Sequence, residues 1–294
     1  MKNSSGRPSL ADYLFALPLY LLPQHLVTGC FYWLSRNTNQ RLKSNLIRAF
    51  IKRYRVDMQQ AAEPDPDSYR CFNDFFVRRL KDRARPLCTD SNCYICPADS
   101  TVSELGKIQQ GQLLQAKGQY YSLLKLLGND ENLAKQFEQG HFITLYLSPR
   151  DYHRVHMPIS AKLKEMRYIP GRLFSVNPAT SRVVKGLFAR NERVVNLFES
   201  EQDKLAMILV GAIIVAGTET RWHGLVTSSR RCWQRVWRYT DGPSMAAGEE
   251  MGRFNVGSTV ILLSNNPTLT WREDLAPGKT LCMGEKLAHF QQQD

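Results

Sequence analysis

The feature that most constrains the fold is a set of aliphatic, β-branched runs confined to the C-terminal two-thirds of the chain. Residues 142–147 (Phe-Ile-Thr-Leu-Tyr-Leu), 193–199, 205–217 and 258–263 are blocks of strand length rich in Val, Ile and Leu. Such residues fit a pleated surface, and a run with little polar alternation predicts a strand covered on both faces. The 205–217 block suits a strand pair or one long bent strand, with Gly211 as a bulge or a close contact. Residues 254–263 read as one strand with a polar interruption, Gly257-Ser258-Thr259. A Gly-Ser pair entering a buried strand is ordinarily a tight turn.

The first third follows a different period. Leu42, Leu46, Ile47, Phe50 and Ile51 recur at helical spacing and predict a helix over 40–62, ended by Glu63-Pro64-Asp65-Pro66. Phe72, Phe75, Phe76 and Leu80 predict a second helix over 69–80. The change of period near 85–95 divides the chain into a helical region, 1–90, and a β-rich region, 91–294, which is an α+β fold. With 294 residues, 43% hydrophobic and 22% charged, the chain can bury a sizeable core.

Residues 11–34 are apolar and aromatic but are broken by Pro18, Pro23, Gln24 and His25, and no run approaches the ~20 apolar residues of a spanning helix. They do not have the build of a secretory signal. Short helices in a membrane interface fit better. Tyr13, Phe15, Tyr20, Phe31, Tyr32 and Trp33 would then sit at headgroup depth, and Arg36, Arg41, Lys43 and Arg48 would face anionic lipid. The alternative is a helical hairpin packed on the protein's own core. The net charge is +12, and residues 1–57 hold nine basic side chains against two acids. A basic lobe seeks an anionic partner. Nucleic acid fits less well, because the region lacks the glycine-rich or strand-borne aromatics of nucleic-acid modules. Residues 230–239 interleave bases and aromatics and suit an edge hairpin or a membrane rim. Seven scattered cysteines imply a reducing compartment. Cys93 and Cys96 have redox or zinc spacing, but no second pair or nearby histidine completes a site, so they read as ordinary thiols and no metal is expected.

Four side chains can carry chemistry. Asp99 follows Pro97-Ala98. His153 and His156 lie three apart, just past the 142–147 strand. Ser258 follows Gly257. As metal ligands the histidines need a third partner that the sequence does not supply. As acid–base groups they need only a carboxylate and a nucleophile. Acid, base and serine are what an activated serine requires, in any chain order, although no G-x-S-x-G elbow is present. Each also has an ordinary reading: a turn-capping aspartate, structural histidines, a turn serine. Residues 170–178 form a turn-rich loop of the kind that lines sites. The residues alone leave these readings open.

A longer set of motifs narrows them. Phe72-Asn73-Asp74-Phe75-Phe76-Val77-Arg78-Arg79-Leu80-Lys81, Pro97-Ala98-Asp99 and Lys117-Gly118-Gln119-Tyr120-Tyr121-Ser122-Leu123 occur in that order. Tyr146-Leu147-Ser148-Pro149-Arg150-Asp151-Tyr152-His153-Arg154-Val155-His156-Met157-Pro158 and Leu173-Phe174-Ser175-Val176-Asn177 follow. Gly248-Glu249-Glu250-Met251-Gly252-Arg253-Phe254 and Val256-Gly257-Ser258-Thr259-Val260-Ile261 complete the series. The chain resembles the bacterial phosphatidylserine decarboxylases over nearly all its length. It departs from them at Ser100, where glycine is typical after the aspartate, and at Val256, where leucine is common.

The resemblance implies a self-processing, pyruvoyl-dependent carboxy-lyase that converts phosphatidylserine to phosphatidylethanolamine and CO2. It implies that Ser258, deprotonated by His156 with Asp99 orienting the ring, attacks the Gly257 carbonyl. An ester forms, β-elimination cuts the chain between Gly257 and Ser258, and a pyruvoyl group is left on a short chain of 37 residues. The pyruvoyl group would form a Schiff base with the substrate amine, and His153 would handle the carboxylate or a proton. No metal or pyridoxal phosphate would be needed. The resemblance further implies that the large β and short α chains stay associated, with homodimerisation an option, at the cytoplasmic side of the cell membrane as a peripheral protein. Phosphatidylserine and the anionic membrane surface would be its partners, not nucleic acid. Two other classes stand beside it: a serine hydrolase acting on lipid without self-cleavage, and a non-catalytic basic protein binding membrane or nucleic acid through residues 1–57.

Overall fold

A computed structural model describes residues 8–116, 118–201, 203–213, 217–227, 233–255 and 258–291. Helices come first: α1 (Leu10–Ala16), α2 (Pro18–Leu21), α3 (Gln24–Ser35), α4 (Gln40–Tyr54) and α5 (Phe72–Phe76). Ser9 and Asp12 cap α1 reciprocally, and Asn39 accepts the Leu42 N–H at the start of α4. Both caps satisfy amides that a helix start leaves without partners.

Both predicted helices are shorter than their apolar spacing suggests. α4 stops at Arg55, which adopts a left-handed backbone with φ 55°. The helix expected over 69–80 is reduced to α5, because the chain beyond it pairs with an earlier segment. The Ala62 N–H donates to the Arg79 carbonyl, the Lys81 N–H donates to the Gln60 carbonyl, and Ala61 and Leu80 form a β-bridge. The aromatic face survives the shortening. Phe72, Phe75 and Phe76 surround Phe50 at ring separations of 5.2, 5.9 and 5.8 Å in an apolar cluster distinct from the sheet core.

The strands begin with β1 (Cys93–Ile95), β2 (Ser100–Lys107), β3 (Gln112–Ala116), β4 (Gln119–Ser122), β5 (His141–Leu147) and β6 (Arg154–His156). Next come β7 (Ala161–Ile169), β8 (Arg193–Glu199), β9 (Lys204–Val210), β10 (Thr218–Thr220), β11 (Gly224–Leu225) and β12 (Arg235–Arg238). The last are β13 (Ser244–Met245), β14 (Glu250–Phe254), β15 (Ser258–Ser264), β16 (Thr270–Trp271), β17 (Thr280–Leu281) and β18 (Lys286–His289). The composition is α+β, with helices first and a β-rich region after them.

Among the described residues the largest sheet has nine strands, in the order β12-β7-β8-β9-β15-β5-β2-β17 with β13 paired to β7. The aliphatic runs occupy its centre, and β15 lies between β9 and β5 with all seven residues buried. The 205–217 block is β9 followed by a close contact at Gly211, where a Cβ would lie 3.3 Å from the Glu192 carbonyl oxygen; residues 214–216 lie outside the described residues. The basic-aromatic stretch supplies the edge strand β12, while residues 228–232 fall outside the described set.

A four-stranded sheet, β11-β10-β14-β6, stands beside the large one. Residues 254–263 are therefore not one interrupted strand. β14 ends at Phe254 in the smaller sheet and β15 begins at Ser258 in the larger, so the polar interruption marks the crossover between sheets. Val256 and Gly257 lie outside the described residues.

The N-terminal helices are clamped to the segment 172–190. Asp12 forms a bidentate pair with Arg182 (2.7 and 3.0 Å), which holds the Asp12 carboxyl down at about 2. Gln24 accepts the Leu173 N–H, and the Tyr20 ring lies 4.8 Å from Phe174. The outer face leaves Leu10, Leu14, Leu21, Leu26 and Trp33 well exposed. No single helix among the described residues is long and apolar enough to cross a membrane; Leu10–Leu21 and Gln24–Ser35 meet at 88°. Two side chains expected at a lipid surface point inward instead. Phe31 packs edge-on against Phe72, and the buried Lys43 ammonium donates to the Asp67 and Tyr69 carbonyls. An ammonium enclosed this way is spent on the fold.

Candidate active site

Ser258 opens β15, opposite Leu147 at the end of β5, and Thr259 stands opposite Val210 of β9. Strand pairing on both sides fixes the backbone of this strand, yet the buried Ser258 Oγ has no hydrogen-bond partner among the described residues. A buried hydroxyl without a partner costs about 1–3 kcal/mol, so stability does not account for a serine here. Three bonds anchor the chain just upstream. Asn255 donates its N–H to the Gly217 carbonyl (2.9 Å) and its side-chain amide to Glu219 (2.8 Å), and its Oδ1 accepts from Asn73 (3.2 Å). The chain is thus held firmly at 255 and at 258, on either side of the expected scission.

The turn after Leu147 carries His153 to the same end of the sheet. It is closed by the Asp151 N–H on the Ser148 carbonyl and by the Ser148 N–H on the Asp151 carboxylate. The His153 carbonyl then accepts the Phe254 N–H (3.1 Å), four residues before Ser258. The His153 ring is fully buried, with its centroid 4.1 Å from that of Phe76. Its Nδ1 lies 2.8 Å from the Asp151 carbonyl oxygen. A carbonyl only accepts, so Nδ1 carries the proton and Nε2 holds a lone pair. That Nε2 is buried without a partner among the described residues. Burial drives the His153 pKa down to about 3; the Asp151 carbonyl opposes the shift and the Arg78 charge adds to it. The ring is a neutral base.

His156 ends β6, hydrogen-bonded through its N–H to the Pro97 carbonyl (2.8 Å), two residues before Asp99. Its Nδ1 donates to the Gly248 carbonyl (2.8 Å), and its Nε2 accepts from the Tyr152 hydroxyl (3.1 Å). Burial lowers its pKa. Asp99 is buried nearby, but its carboxylate grips Arg85 through both oxygens (2.7 and 2.5 Å) and accepts the Met283 N–H (2.9 Å). The expected Asp99–His156 hydrogen bond therefore takes another form. A backbone carbonyl orients the ring, and Glu250 and, more weakly, Asp99 act on it through space, favouring the protonated state.

The structure thus brings Ser258 and His153 to one end of the sheet and sets His156 beside the Asp99 segment, while Gly257 is outside the described residues. Arg85, Tyr152 and Asn255 escaped the sequence reading. Arg85 lies beyond the predicted second helix and outside the motifs, Tyr152 sits inside the histidine motif, and nothing local marks Asn255. Cys93 and Cys96 do not converge. The Cys93 sulfur lies 3.9 Å from that of Cys88, whereas Cys96 is buried on the Ala98 carbonyl with its thiol pushed up to about 12.

Comparison with known proteins decides the family. The model for phosphatidylserine decarboxylase matches residues 72–289. The chain belongs to the phosphatidylserine decarboxylase family. A second model, PSD, matches residues 14–55. The phosphatidylserine decarboxylase proenzyme of Legionella pneumophila (strain Lens) is 50% identical over 281 residues, covering 94% of this chain and 98% of the relative. That of Azoarcus sp. (strain BH72) is 48% identical over 279 residues, covering 95% and 96%. That of Stutzerimonas stutzeri (strain A1501) is 47% identical over 282 residues, covering 95% of each.

Proposed function

We propose that the chain is a self-processing phosphatidylserine decarboxylase whose reactive carbonyl is made from Ser258. As a member of this family it is a carboxy-lyase, and its relatives carry the name proenzyme. The observation that carries the self-processing reading is the Ser258 Oγ, buried and unpartnered on an anchored strand. A hydroxyl with no hydrogen-bond partner among the described residues is free to attack the carbonyl before it.

His156 Nε2, which holds a lone pair, removes the Ser258 hydroxyl proton once the Tyr152 hydroxyl turns aside. The Glu250 charge and, more weakly, the Asp99 charge then favour the imidazolium that results. Oγ adds to the Gly257 carbonyl and the Gly257–Ser258 amide gives way to an ester. Loss of the Ser258 α-proton expels Gly257 as a carboxylate, and water converts the dehydroalanine left behind to a pyruvoyl group with release of ammonia. The pyruvoyl group supplies an electrophilic carbonyl that takes up the substrate amine and accepts the electrons released with CO2. The His153 Nε2 lone pair takes a proton from the substrate ammonium and returns it to carbon after CO2 has left. The fragments on either side of the cut stay together because β15 remains locked between β9 and β5.

The exposed apolar face of α1–α3, with Arg41, Arg48, Lys52 and Arg53 exposed on α4, suits an anionic membrane surface holding phosphatidylserine. A denaturing gel tests the reading. Wild-type chain is expected as a large and a short fragment, and Ser258→Ala as one intact chain. A wild-type chain that never divides would favour a serine hydrolase instead.

A further inference from the structure

The segment after α5 holds a buried charge that the steps above leave without a task. Arg78 is 4% exposed. Its Nη2 donates to the Arg150 carbonyl (3.1 Å), while Nε and Nη1 are buried with no partner among the described residues. Four other guanidiniums enclosed in the described part of the β-rich region and its approach are committed. Arg85 is paired with Asp99, Arg154 with Glu250 and the Val77 carbonyl, Arg167 with Glu165 and Asp130, and Arg193 with three backbone carbonyls. Around Arg78 stand the Phe75 ring, 5.5 Å away, and at longer range the charges of Asp99, Asp151 and Arg85. Asp99 is taken up by Arg85, and Asp151 faces Arg150 and the Ser148 amide. Burying a guanidinium with two idle donor atoms is costly, and breaking a buried pair usually costs several kcal/mol because it leaves just such a charge. A fold keeps such a group when a ligand completes it.

It lies beside the site already described. Arg78 follows Phe76, whose ring packs on His153, and its bonded partner Arg150 lies in the turn that carries His153. Arg78 is close enough for its charge to act on that ring. Partnerless polar atoms gather on these same segments: Ser148 Oγ, His153 Nε2 and Asn73 Oδ1.

We propose that Arg78 binds the phosphodiester of the lipid headgroup end-on through Nη1. The inference rests on the decarboxylase reading above. A guanidinium N–H donates a strong, charge-assisted hydrogen bond to a phosphate oxygen. The substrate's other anion, the carboxylate, is a poor choice of partner. Its charge disperses as CO2 departs, so a guanidinium fixed on it would stabilise the ground state more than the transition state. The phosphodiester keeps its charge from substrate to product. Arg78 therefore contributes binding that is equal before and after the reaction, and the neutral His153 is left to the reacting end.

The test compares wild type, Arg78→Lys and Arg78→Gln as purified, divided enzyme. Binding of dihexanoyl phosphatidylethanolamine, which has the phosphodiester but no carboxylate, is measured by calorimetry. KM and kcat are measured on dihexanoyl phosphatidylserine. Arg78→Gln is expected to weaken product binding and raise KM in parallel, by roughly tenfold to a hundredfold, with a smaller effect for Arg78→Lys and kcat little changed. A raised KM with unaltered product binding would assign Arg78 to the carboxylate and overturn the proposal. So would a loss confined to kcat, or failure of both variants to fold and divide. Failure of the underlying reading looks different, because the wild-type chain itself would then stay whole.

Discussion

Both ends of the β5–β15 strand pair carry a serine and a histidine, and the two ends are finished differently. At the far end Ser264 donates to Asp203 (2.6 Å), the Tyr94 hydroxyl donates to the same carboxylate, and His141 Nδ1 donates to the Asn266 carbonyl (3.1 Å). Serine, histidine and acid are all present there, and each has its partner. At the near end Ser258 Oγ, His153 Nε2 and two nitrogens of Arg78 are buried with none among the described residues. Residue type does not tell the two ends apart; whether the serine and the histidine have their hydrogen bonds does.

This contrast can be broken in several ways. The largest expected effect is at His153. His153→Ala should still divide but lose CO2 release by about 10²–10⁴-fold, read by gel and gas evolution, and equal loss of both would refute the separate roles of the histidines. Next comes Arg85→Gln, which leaves the Asp99 carboxylate buried without its partner and should cost about 3–5 kcal/mol in urea unfolding. A cost under about 1 kcal/mol, the range of surface pairs, would mean that Asp99 draws little from Arg85. Ser264→Ala should lower stability by about 1–3 kcal/mol without stopping division, whereas Ser258→Ala should leave stability equal or higher, having no bond to lose. If Ser258→Ala is the more destabilised of the two, the serines have been assigned the wrong way round.

The smallest effect is on pH dependence. His153 titrates near 3 in the fold against an ordinary 6.5, so as pH falls the unfolded chain takes up the proton first. The contribution is fully present above pH 6.5 and is lost toward pH 3, at up to about 1.4 kcal/mol per pH unit. His153→Ala should flatten that slope in unfolding curves. Part of the slope should remain from the other buried histidines, His141 and His156, whose pKa values burial also lowers. A slope that His153→Ala does not change would contradict a buried neutral ring.

The sheet was legible because its central strands are buried on both faces, which leaves an unbroken aliphatic signature at 142–147, 193–199 and 258–263. The helices were legible in kind but not in length. The 69–80 helix yields to a pairing between 79–81 and 60–62, a long-range choice that local spacing does not record. The named site residues could be picked out because they lie in motifs. Their bonding could not. Asp99 meets Arg85 across the helical region, His156 meets the Gly248 carbonyl, and Asn255 meets Asn73, 182 residues away in sequence. Arg78 shows the same limit: its charge is plain in the sequence, and its want of a partner appears only once the core is closed around it.

If Ser258 becomes the reactive group, the mass of the short fragment shows it. That fragment should begin at position 258, be lighter by one ammonia than the serine-terminated peptide and be reducible by borohydride. A short fragment with an unmodified serine terminus, or a chain left whole under conditions where CO2 is released, would contradict it.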